Sequence, residues 1–156
     1  MKTINIGIND DSRKKVIGVL KKLLADTYFL YFKTHTYHWN VTGMMFQSLH
    51  AMFMQQYTEL WNTIDLIAER IRSLGDYAPY SYKELSQLTS IKDDENIPKA
   101  EEMLKNLIED HEKIIKYIRD NFSIAEESND EATVDLLTQR LDAHEKTAWM
   151  LRATLE

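Results

Sequence analysis

The chain has 156 residues, 44% of them hydrophobic and 28% charged, which suits one domain with a substantial core and excludes two full-sized domains. Cysteine is absent, so disulfides, thiolate nucleophiles and sulfur-rich metal sites are excluded, and His, Asp and Glu remain as the strong metal ligands. The net charge of -6, from 19 Lys and Arg against 25 Asp and Glu, favours cations over phosphate backbones as partners.

A short tail, residues 1–11, precedes a first helix predicted over residues 12–39. The tail lacks the apolar segment of a secretory signal, and no part of the chain approaches the roughly 18 apolar residues of a membrane span. We therefore expect a cytoplasmic protein without a membrane partner. Polar residues 9–12 supply several N-caps for the helix, and its apolar positions recur at helical spacing: Ile17, Leu20, Leu24, Tyr28 and Tyr31.

A second helix is predicted over residues 44–74, and a long crossover follows it. The helix ends before Gly75, as helices often do. Residues 76–95 hold Pro79, several Ser and Tyr residues and an acidic stretch, which predicts a connection with one short helix near residues 82–88. A crossover of this length indicates that the helices before and after it run parallel.

Two further helices complete the predicted fold. The third is expected to begin near Asn96, with Pro98 in its first turn, and to fade near Phe122. The fourth follows Ser-Asn-Asp-Glu at residues 128–131, which match a capping box. The prediction is therefore a single all-α domain over residues 1–156, a ferritin-like four-helix bundle whose crossover carries a short helix.

Three potential metal ligands lie along one face of the second predicted helix. Asp65 and Glu69 are four residues apart, so their carboxylates project from neighbouring turns and can bind one divalent cation. At about 100° per residue, His50 shares with them a strip roughly 100° wide, centred roughly 130° from the apolar stripe. Met54 and Trp61 lie in the same strip, and large apolar residues outside the core stripe indicate a partner surface.

His50 and Asp65 cannot share a metal within one chain, because fifteen residues of helix separate them by roughly 22 Å. If two copies pack antiparallel about a two-fold axis, His50 of one copy approaches Asp65 and Glu69 of the other, and two equivalent sites form. His38, near the end of the first helix, can join His50 after the chain reverses at Gly43. The result would be a mixed His and carboxylate site, which suits Fe(II) and also zinc.

A structural explanation of the same residues remains open. Asp65 and Glu69 lie near Arg70 and Arg72, and such charges commonly form a solvated ion-pair face. Spacing alone does not decide between this face and a metal site. The other histidines lie on or near apolar stripes and are predicted to be packing residues: His35, His111 and His144.

The residues around these positions resemble the signature of the Dps-type miniferritins. The resemblance continues through the region of Tyr57, the crossover helix and the ending His144-Glu145-Lys146-Thr147-x-Trp149, and so covers most of the chain. No His follows a Glu by three residues, so the Glu-x-x-His pattern of full-size ferritins is absent. The signature itself reads His38-Trp39-Asn40-Val41-x-Gly43-x-x-Phe46-x-x-Leu49-His50 and Asp65-x-x-x-Glu69-Arg70-Ile71-x-x-Leu74-Gly75.

The resemblance implies a ferroxidase and iron-storage subunit in a hollow shell of twelve copies. Di-iron centres at the two-fold interfaces would oxidise Fe(II), preferably with hydrogen peroxide, and the ferric mineral would collect inside, protecting the cell and its DNA. By position, His38 and His50 would come from one subunit and Asp65 and Glu69 from its partner. Many members have Asp or Glu four residues after the second His, where this chain has Met54, so the second iron is expected to bind weakly.

Two further features follow from the same resemblance. Trp39 lies beside a ligand and would be a candidate electron donor to a partly reduced oxidant, although packing at an interface explains it equally well. Acidic residues at the turn before the fourth helix would line a three-fold pore through which iron enters, and a solvated helix start explains the first few of them equally well. These candidate pore residues are Glu126, Glu127, Asp130, Glu131 and Asp135.

DNA binding is the other activity of the family and is often associated with a Lys-rich tail. Here Lys2 is the only basic residue before Arg13-Lys14-Lys15, and the negative net charge opposes association with DNA. We therefore expect weak or absent DNA binding. A DNA-compacting protein with vestigial iron oxidation is the alternative function, and a metal-free structural bundle is the third.

Overall fold

The computed structural model describes residues 4–156, and all regular secondary structure in that range is helical. Both the all-α bundle and the short helix in the crossover are confirmed. Lys2 lies outside the described residues. The five helices are α1 (Asp10–Asn40), α2 (Phe46–Ser73), α3 (Tyr82–Leu88), α4 (Ala100–Glu127) and α5 (Glu131–Leu155).

The first two helices begin and end within two residues of their predicted bounds. The side chain of Asn9 caps α1 by accepting a hydrogen bond from the backbone N–H of Ser12 at 2.9 Å. Gly75 ends α2 with φ of 100°, and it and the following residue donate to the carbonyls of Arg72 and Ile71. This Schellman arrangement requires a left-handed residue, which explains the glycine.

Both ends of α4 differ from the prediction. The helix begins at Ala100 rather than near Asn96, because Pro98 disfavours helical backbone at the residue before it. It continues to Glu127 rather than fading near Phe122, since Ala125 is buried against the core. The hydroxyl of Ser128 also donates to the carbonyl of Ile124 at 2.6 Å and so supports the last turn.

The capping residue of α5 also differs from the prediction. Ser128 was expected to be the N-cap, but its hydroxyl is used by α4. Asp130 takes the role, accepting from the backbone N–H of Thr133 at 3.0 Å. Asn129 lies between the two helices with φ of 51°, a left-handed conformation that Asn tolerates better than most residues.

Contacts between the helices give the direction of each one in the bundle. Short turns join α1 to α2 and α4 to α5 as antiparallel pairs. Arg140 of α5 bonds to Glu59 of α2 at 3.1 Å, and Arg70, later in α2, bonds to Thr133, earlier in α5, at 3.0 Å. Helices α2 and α5 therefore run antiparallel. Because α4 and α5 are antiparallel and α5 also runs against α2, α2 and α4 run parallel, as the long crossover predicts.

The crossover is attached to the bundle through a buried carboxylate. Asp26 of α1 is fully buried and accepts hydrogen bonds from the backbone N–H of Ser90 at 2.6 Å and from the hydroxyl of Thr89 at 3.0 Å. Lys22 neutralises its charge at 2.6 Å. Among residues 4–156, no helix is both long enough and apolar enough to cross a membrane.

Candidate metal centre

His38 and His50 lie face to face where α1 and α2 meet across residues 41–45. Their ring centroids are 3.7 Å apart and their planes differ by 16°. The Nδ1 atom of His38 lies 2.6 Å from the carbonyl oxygen of His50, and the Nδ1 atom of His50 lies 2.8 Å from the carbonyl oxygen of His38. The structure thus brings together the two histidines that the sequence predicts to share a site.

These reciprocal bonds determine which ring nitrogen of each histidine carries a proton. A carbonyl oxygen can only accept, so each Nδ1 must be protonated and donate. In the neutral ring, Nε2 then keeps its lone pair free for a metal ion. Metal-binding histidines commonly have their other ring nitrogen bonded to a carboxylate or a backbone carbonyl, which fixes tautomer and ring orientation. The pair is therefore prepared as two adjacent nitrogen ligands.

Aromatic rings hold the histidine pair from both sides. Phe46 stacks on His50 with centroids 5.1 Å apart and planes 30° apart. Tyr57 meets His38 edge-on at 5.2 Å. His38 is 9% exposed and His50 is half-buried, so the rings have little room to turn away from this orientation.

The carboxylate pair lies further along α2, on its exposed face. Asp65 and Glu69 are both exposed and occupy successive turns of the helix. Within residues 4–156, no three His, Asp or Glu side chains are close enough to hold a metal together. On one chain the histidine pair and the carboxylate pair therefore lie apart from each other. Met54, one turn after His50, is 47% exposed and offers a thioether sulfur, which is a poor ligand for hard iron ions.

The arginines next to the carboxylate pair are engaged elsewhere. Arg70 forms an ion pair with Asp130 at 2.6 Å and donates to the hydroxyl of Thr133 at 3.0 Å. Arg72 donates to the carbonyl of Asp76 at 3.0 Å. Across the described range, neither arginine forms a salt bridge with Asp65 or Glu69, which removes the basis for a solvated ion-pair face.

Large apolar side chains are exposed near the histidine pair and the carboxylate pair. Trp39 is 58% exposed at the end of α1, and Trp61 and Leu66 are 55% and 56% exposed on α2. Side chains of this size in such numbers indicate a contact surface rather than a solvated face. The partner surface predicted for this strip of α2 therefore has the exposed apolar residues that it requires.

A second histidine pair lies deep in the bundle, between α4 and α5. His111 and His144 are 2% and 0% exposed, as predicted for packing residues, and their Nδ1 atoms are 2.8 Å apart. Burial lowers the pKa of His111 to about 3 and that of His144 well below its ordinary value, and the nearby charge of Arg140 acts in the same direction. The Nε2 atom of His111 has no hydrogen-bond partner among residues 4–156.

His35 packs against aromatic rings, again as predicted, but one of its contacts is polar. Its ring stacks on Tyr57 with centroids 3.9 Å apart, and its Nδ1 atom lies 3.0 Å from the hydroxyl oxygen of Tyr31. Burial, followed by the effect of His38, lowers the pKa of His35. Sequence reasoning missed the bond to Tyr31, although the spacing of four residues along one helix face was its signal.

The acidic residues at the turn between α4 and α5 do not all behave alike. Asp130 is 2% exposed because it caps α5 and pairs with Arg70, so its placement among exposed pore-lining residues is wrong. The importance of Arg70 was likewise missed, since a partner 60 residues away has no local sequence signal. The other four candidates are exposed: Glu126, Glu127, Glu131 and Asp135.

Comparisons with known proteins agree with this architecture. The ferritin-like domain family matches residues 17–156. DNA protection during starvation protein 2 of Bacillus anthracis is 40% identical over 142 residues, covering 91% of this chain and 97% of that protein. A low temperature-induced protein of Nostoc is 42% identical over 158 residues, covering 100% of this chain and 88% of that protein.

A solved structure agrees as well. The Dps protein of Vibrio cholerae, described as a member of a broad superfamily of ferritin-like diiron-carboxylate proteins, superposes with a TM-score of 0.93 at 32% identity and covers 100% of this chain and 98% of that chain. Sequence signature, helix arrangement and relatives all point the same way. The chain belongs to the Dps-type miniferritins of the ferritin-like family.

Proposed function

We propose that this chain oxidises Fe(II), preferably with hydrogen peroxide, and stores the ferric product as a subunit of a hollow cytoplasmic dodecamer. One observation carries the proposal. The Nδ1 atoms of His38 and His50 are bound by backbone carbonyls, which frees both Nε2 atoms, while Asp65 and Glu69 stand exposed and out of reach on the same chain. A donor set divided in this way is useful only when a second copy completes it.

The proposed pairing of two subunits follows from where the ligands lie along α2. His50 lies near the start of the helix, and Asp65 and Glu69 lie near its end. When two copies of α2 pack antiparallel about a two-fold axis, the start of one meets the end of the other, and both sites form at once. The exposed Trp61 and Leu66 lie on α2 beside the carboxylates and would be covered by the same contact.

In such a site each ligand has a definite task. Iron is the substrate here, and two neutral imidazoles with two carboxylates form a donor set that suits Fe(II) and becomes more favourable as the charge rises to Fe(III). Met54 provides no oxygen ligand, so a second iron would be held weakly. Trp39, next to His38, is the candidate electron donor, and the exposed Glu126, Glu127, Glu131 and Asp135 would attract iron to a pore.

Subunit complementation tests the divided site directly. In shells made only of His50→Ala subunits, or only of Asp65→Ala subunits, every site lacks one ligand, and fast Fe(II) oxidation should be lost. In a mixed pair, one site loses both ligands while the other has His50 from one subunit and Asp65 from the other. Random mixing in equal amounts makes half of the pairs mixed, with half of their sites intact, so about a quarter of the wild-type rate should return.

The readouts are the rate of Fe(II) oxidation after peroxide addition and the fraction of ferric iron that stays soluble with the protein. Asp142→Asn, which removes an exposed carboxylate on α5, is the matched control and should leave both unchanged. Recovery in refolded mixtures but not in mixtures of preassembled shells supports the interfacial site. Activity in either single variant, or no recovery on refolding, would contradict it.

For DNA we propose weak or absent direct binding. With Lys2 as its only basic residue the tail is short of positive charge, and the net charge of -6 opposes the electrostatic contribution that dominates non-specific binding. Protection of DNA would then come from removal of iron and peroxide. A shift of plasmid DNA by the assembled protein at moderate salt would instead favour the DNA-compacting alternative.

A further inference from the structure

Met54 lies beside a proposed metal ligand on the exposed face of α2. It follows His50 by four residues, which places its side chain one helical turn away and rotated by about 40° around the helix. Met54 is 47% exposed, so the core of the bundle does not enclose its thioether. The imidazole and the thioether are therefore neighbours on one helix face.

The other methionines between residues 4 and 156 have different surroundings. Met150 is 42% exposed on α5, and Met44 is 105% exposed in the connection before α2. Met103 is buried in the core at 1% exposure. Met150 has nearly the same exposure as Met54 but lies on another helix, so it is a natural reference for the chemistry of Met54.

The thioether of Met54 is a poor ligand for iron but a good target for the oxidant. Thioether sulfur is a soft donor, whereas Fe(II) and Fe(III) are better bound by oxygen and by imidazole nitrogen. Oxidation converts a thioether to a sulfoxide, whose oxygen carries a partial negative charge and is a harder donor. One reaction would therefore supply an oxygen ligand at a position where the unmodified chain has none.

We propose that Met54 is a modification site at which hydrogen peroxide forms methionine sulfoxide, and that the sulfoxide oxygen then binds the second iron. This inference rests on the proposed iron oxidation and extends it. The sulfur lone pair attacks one peroxide oxygen, the O–O bond breaks and an S–O bond forms. The attacked oxygen gives up its proton and the departing hydroxide takes one, so the products are the sulfoxide and one water. Sulfur is oxidised by two electrons and peroxide is reduced by two.

The oxidant reaches Met54 by the route that leads to the metal centre. Peroxide must approach iron held by His38 and His50 for the proposed function, and the thioether lies one turn from His50. A metal ion withdraws electron density from a nearby oxygen, which makes peroxide more reactive toward sulfur. Oxidation is therefore directed to Met54 even when two copies of α2 cover the surrounding apolar surface.

Oxidation of Met54 changes how many iron ions the centre holds. Hydrogen peroxide accepts two electrons on its way to two waters, and one Fe(II) supplies only one. With the sulfoxide oxygen as a ligand, two Fe(II) ions occupy the centre together and supply both electrons. The first peroxide molecules thus prepare the centre that reduces the later ones.

Peptide mass spectrometry tests the modification on the assembled protein. Fe(II) and hydrogen peroxide are added in equal amounts to the sites, and the fraction of each methionine that has gained one oxygen atom is followed over time. Met54 should be oxidised faster than Met150, although the two are almost equally exposed. In His50→Ala, which lacks a metal ligand, the two rates should become similar.

Anaerobic Fe(II) titration tests the sulfoxide as a ligand. Assembled protein that has been treated with peroxide and then freed of iron should bind two Fe(II) per site, whereas untreated protein should bind only one tightly. The second iron should bind at least about 10-fold more tightly after treatment, because loss of even an outer-shell partner commonly costs roughly 10- to 100-fold in affinity.

Three variants separate the ligand role of Met54 from general oxidation. Met54→Leu cannot gain the oxygen atom and should bind one iron tightly with or without treatment. Met54→Glu carries a permanent carboxylate oxygen and should bind two without treatment. Met150→Leu is the matched control and should respond to peroxide as wild-type protein does.

The outcomes separate this inference from the proposed function. Fast iron oxidation with equal oxidation of Met54 and Met150, or with an iron stoichiometry that treatment leaves unchanged, would overturn the role of Met54 alone. A second tight iron in treated Met54→Leu would do the same. Slow Fe(II) oxidation in wild-type protein, no faster than in His50→Ala, would overturn the proposed function and the role of Met54 with it.

Discussion

The molecule contains two pairs of histidines in contact, and they are built in opposite ways. In the pair His38 and His50, each Nδ1 donates to the backbone carbonyl of the other residue, and the rings stack at the edge of the bundle. In the pair His111 and His144, the two Nδ1 atoms bond to each other in the core, next to Arg140. The first arrangement exposes ring lone pairs, whereas the second uses them internally.

The difference teaches that the partner of Nδ1 decides what a helical histidine can do. A backbone carbonyl fixes the proton on Nδ1 and leaves Nε2 as a ligand. Another imidazole uses up one lone pair, and a neighbouring guanidinium disfavours any added cation. Both pairs lie on helices at partly apolar positions, so composition and periodicity alone do not separate them.

Removing each histidine pair as a whole is the strongest test of the difference between them. His38→Ala with His50→Ala should lower the rate of Fe(II) oxidation by more than about 1,000-fold, because loss of one outer-shell partner alone commonly costs roughly 10- to 100-fold. His111→Leu with His144→Leu should retain a near wild-type rate per assembled subunit. Stopped-flow absorbance after peroxide addition measures both rates. An equal loss of oxidation rate in the two variants would mean that the two histidine pairs do not differ in function.

Zinc tests metal binding by the two histidine pairs separately from iron oxidation, because it has no redox chemistry. Zn²⁺ suits imidazole and carboxylate ligands, and at a hundred times its Kd a native-state ligand adds about 2.7 kcal/mol to the free energy of unfolding. We expect Zn²⁺ to raise Tm in wild-type protein and in the His111→Leu, His144→Leu variant. A similar rise in the His38→Ala, His50→Ala variant, measured by calorimetry at fixed protein concentration, would place the zinc elsewhere.

Breaking the buried pair one residue at a time should affect stability and not oxidation. His144→Leu leaves both ring nitrogens of His111 without a partner, which should lower the free energy of unfolding by about 2 kcal/mol. The double substitution to Leu removes both polar groups and should recover much of that loss. Urea unfolding of the three proteins forms a cycle, and an additive result would mean that the two rings are not coupled.

The smallest expected effect is a pH dependence of stability to which the buried pair contributes. The folded-state pKa of His111 is lowered from 6.5 to about 3 by burial and by Arg140, so the unfolded chain binds a proton first as the pH falls. Stability should therefore be complete above about pH 6.5 and should decline as the pH falls toward about 3. Above the range in which carboxylates titrate, Tm of the double Leu variant should fall less than that of wild-type protein.

The sequence predicted the fold because the main determinants are local. Apolar spacing located the four long helices, and Gly75 located the end of α2. The start of α4 was missed because the effect of Pro98 on the preceding residue outweighs its tolerance in a first turn. The cap of α5 was missed because Ser128 had two competing partners, and burial decided between them.

Sequence reasoning named the candidate residues but not the contacts that orient them. Spacing on α2 placed His50, Asp65 and Glu69 on one strip of the helix. It also placed His50 farther from the two carboxylates than one metal ion can bridge. The reciprocal carbonyl bonds of His38 and His50 depend on how two helices meet, and no local pattern encodes that contact. The burial of Asp130 by Arg70 is of the same kind.

The reciprocal bonds also bear on how this chain tolerates change in length. Surface loops usually accept insertions and deletions, and residues 42–44 are the exposed middle of the short connection between α1 and α2. Here the connection sets the register of two helices whose carbonyls orient each other's imidazoles. An added or deleted residue would rotate one helix start by about 100° and misalign both rings. The length of this connection therefore fixes the relative orientation of His38 and His50, and it matters to the candidate site as much as the histidines themselves.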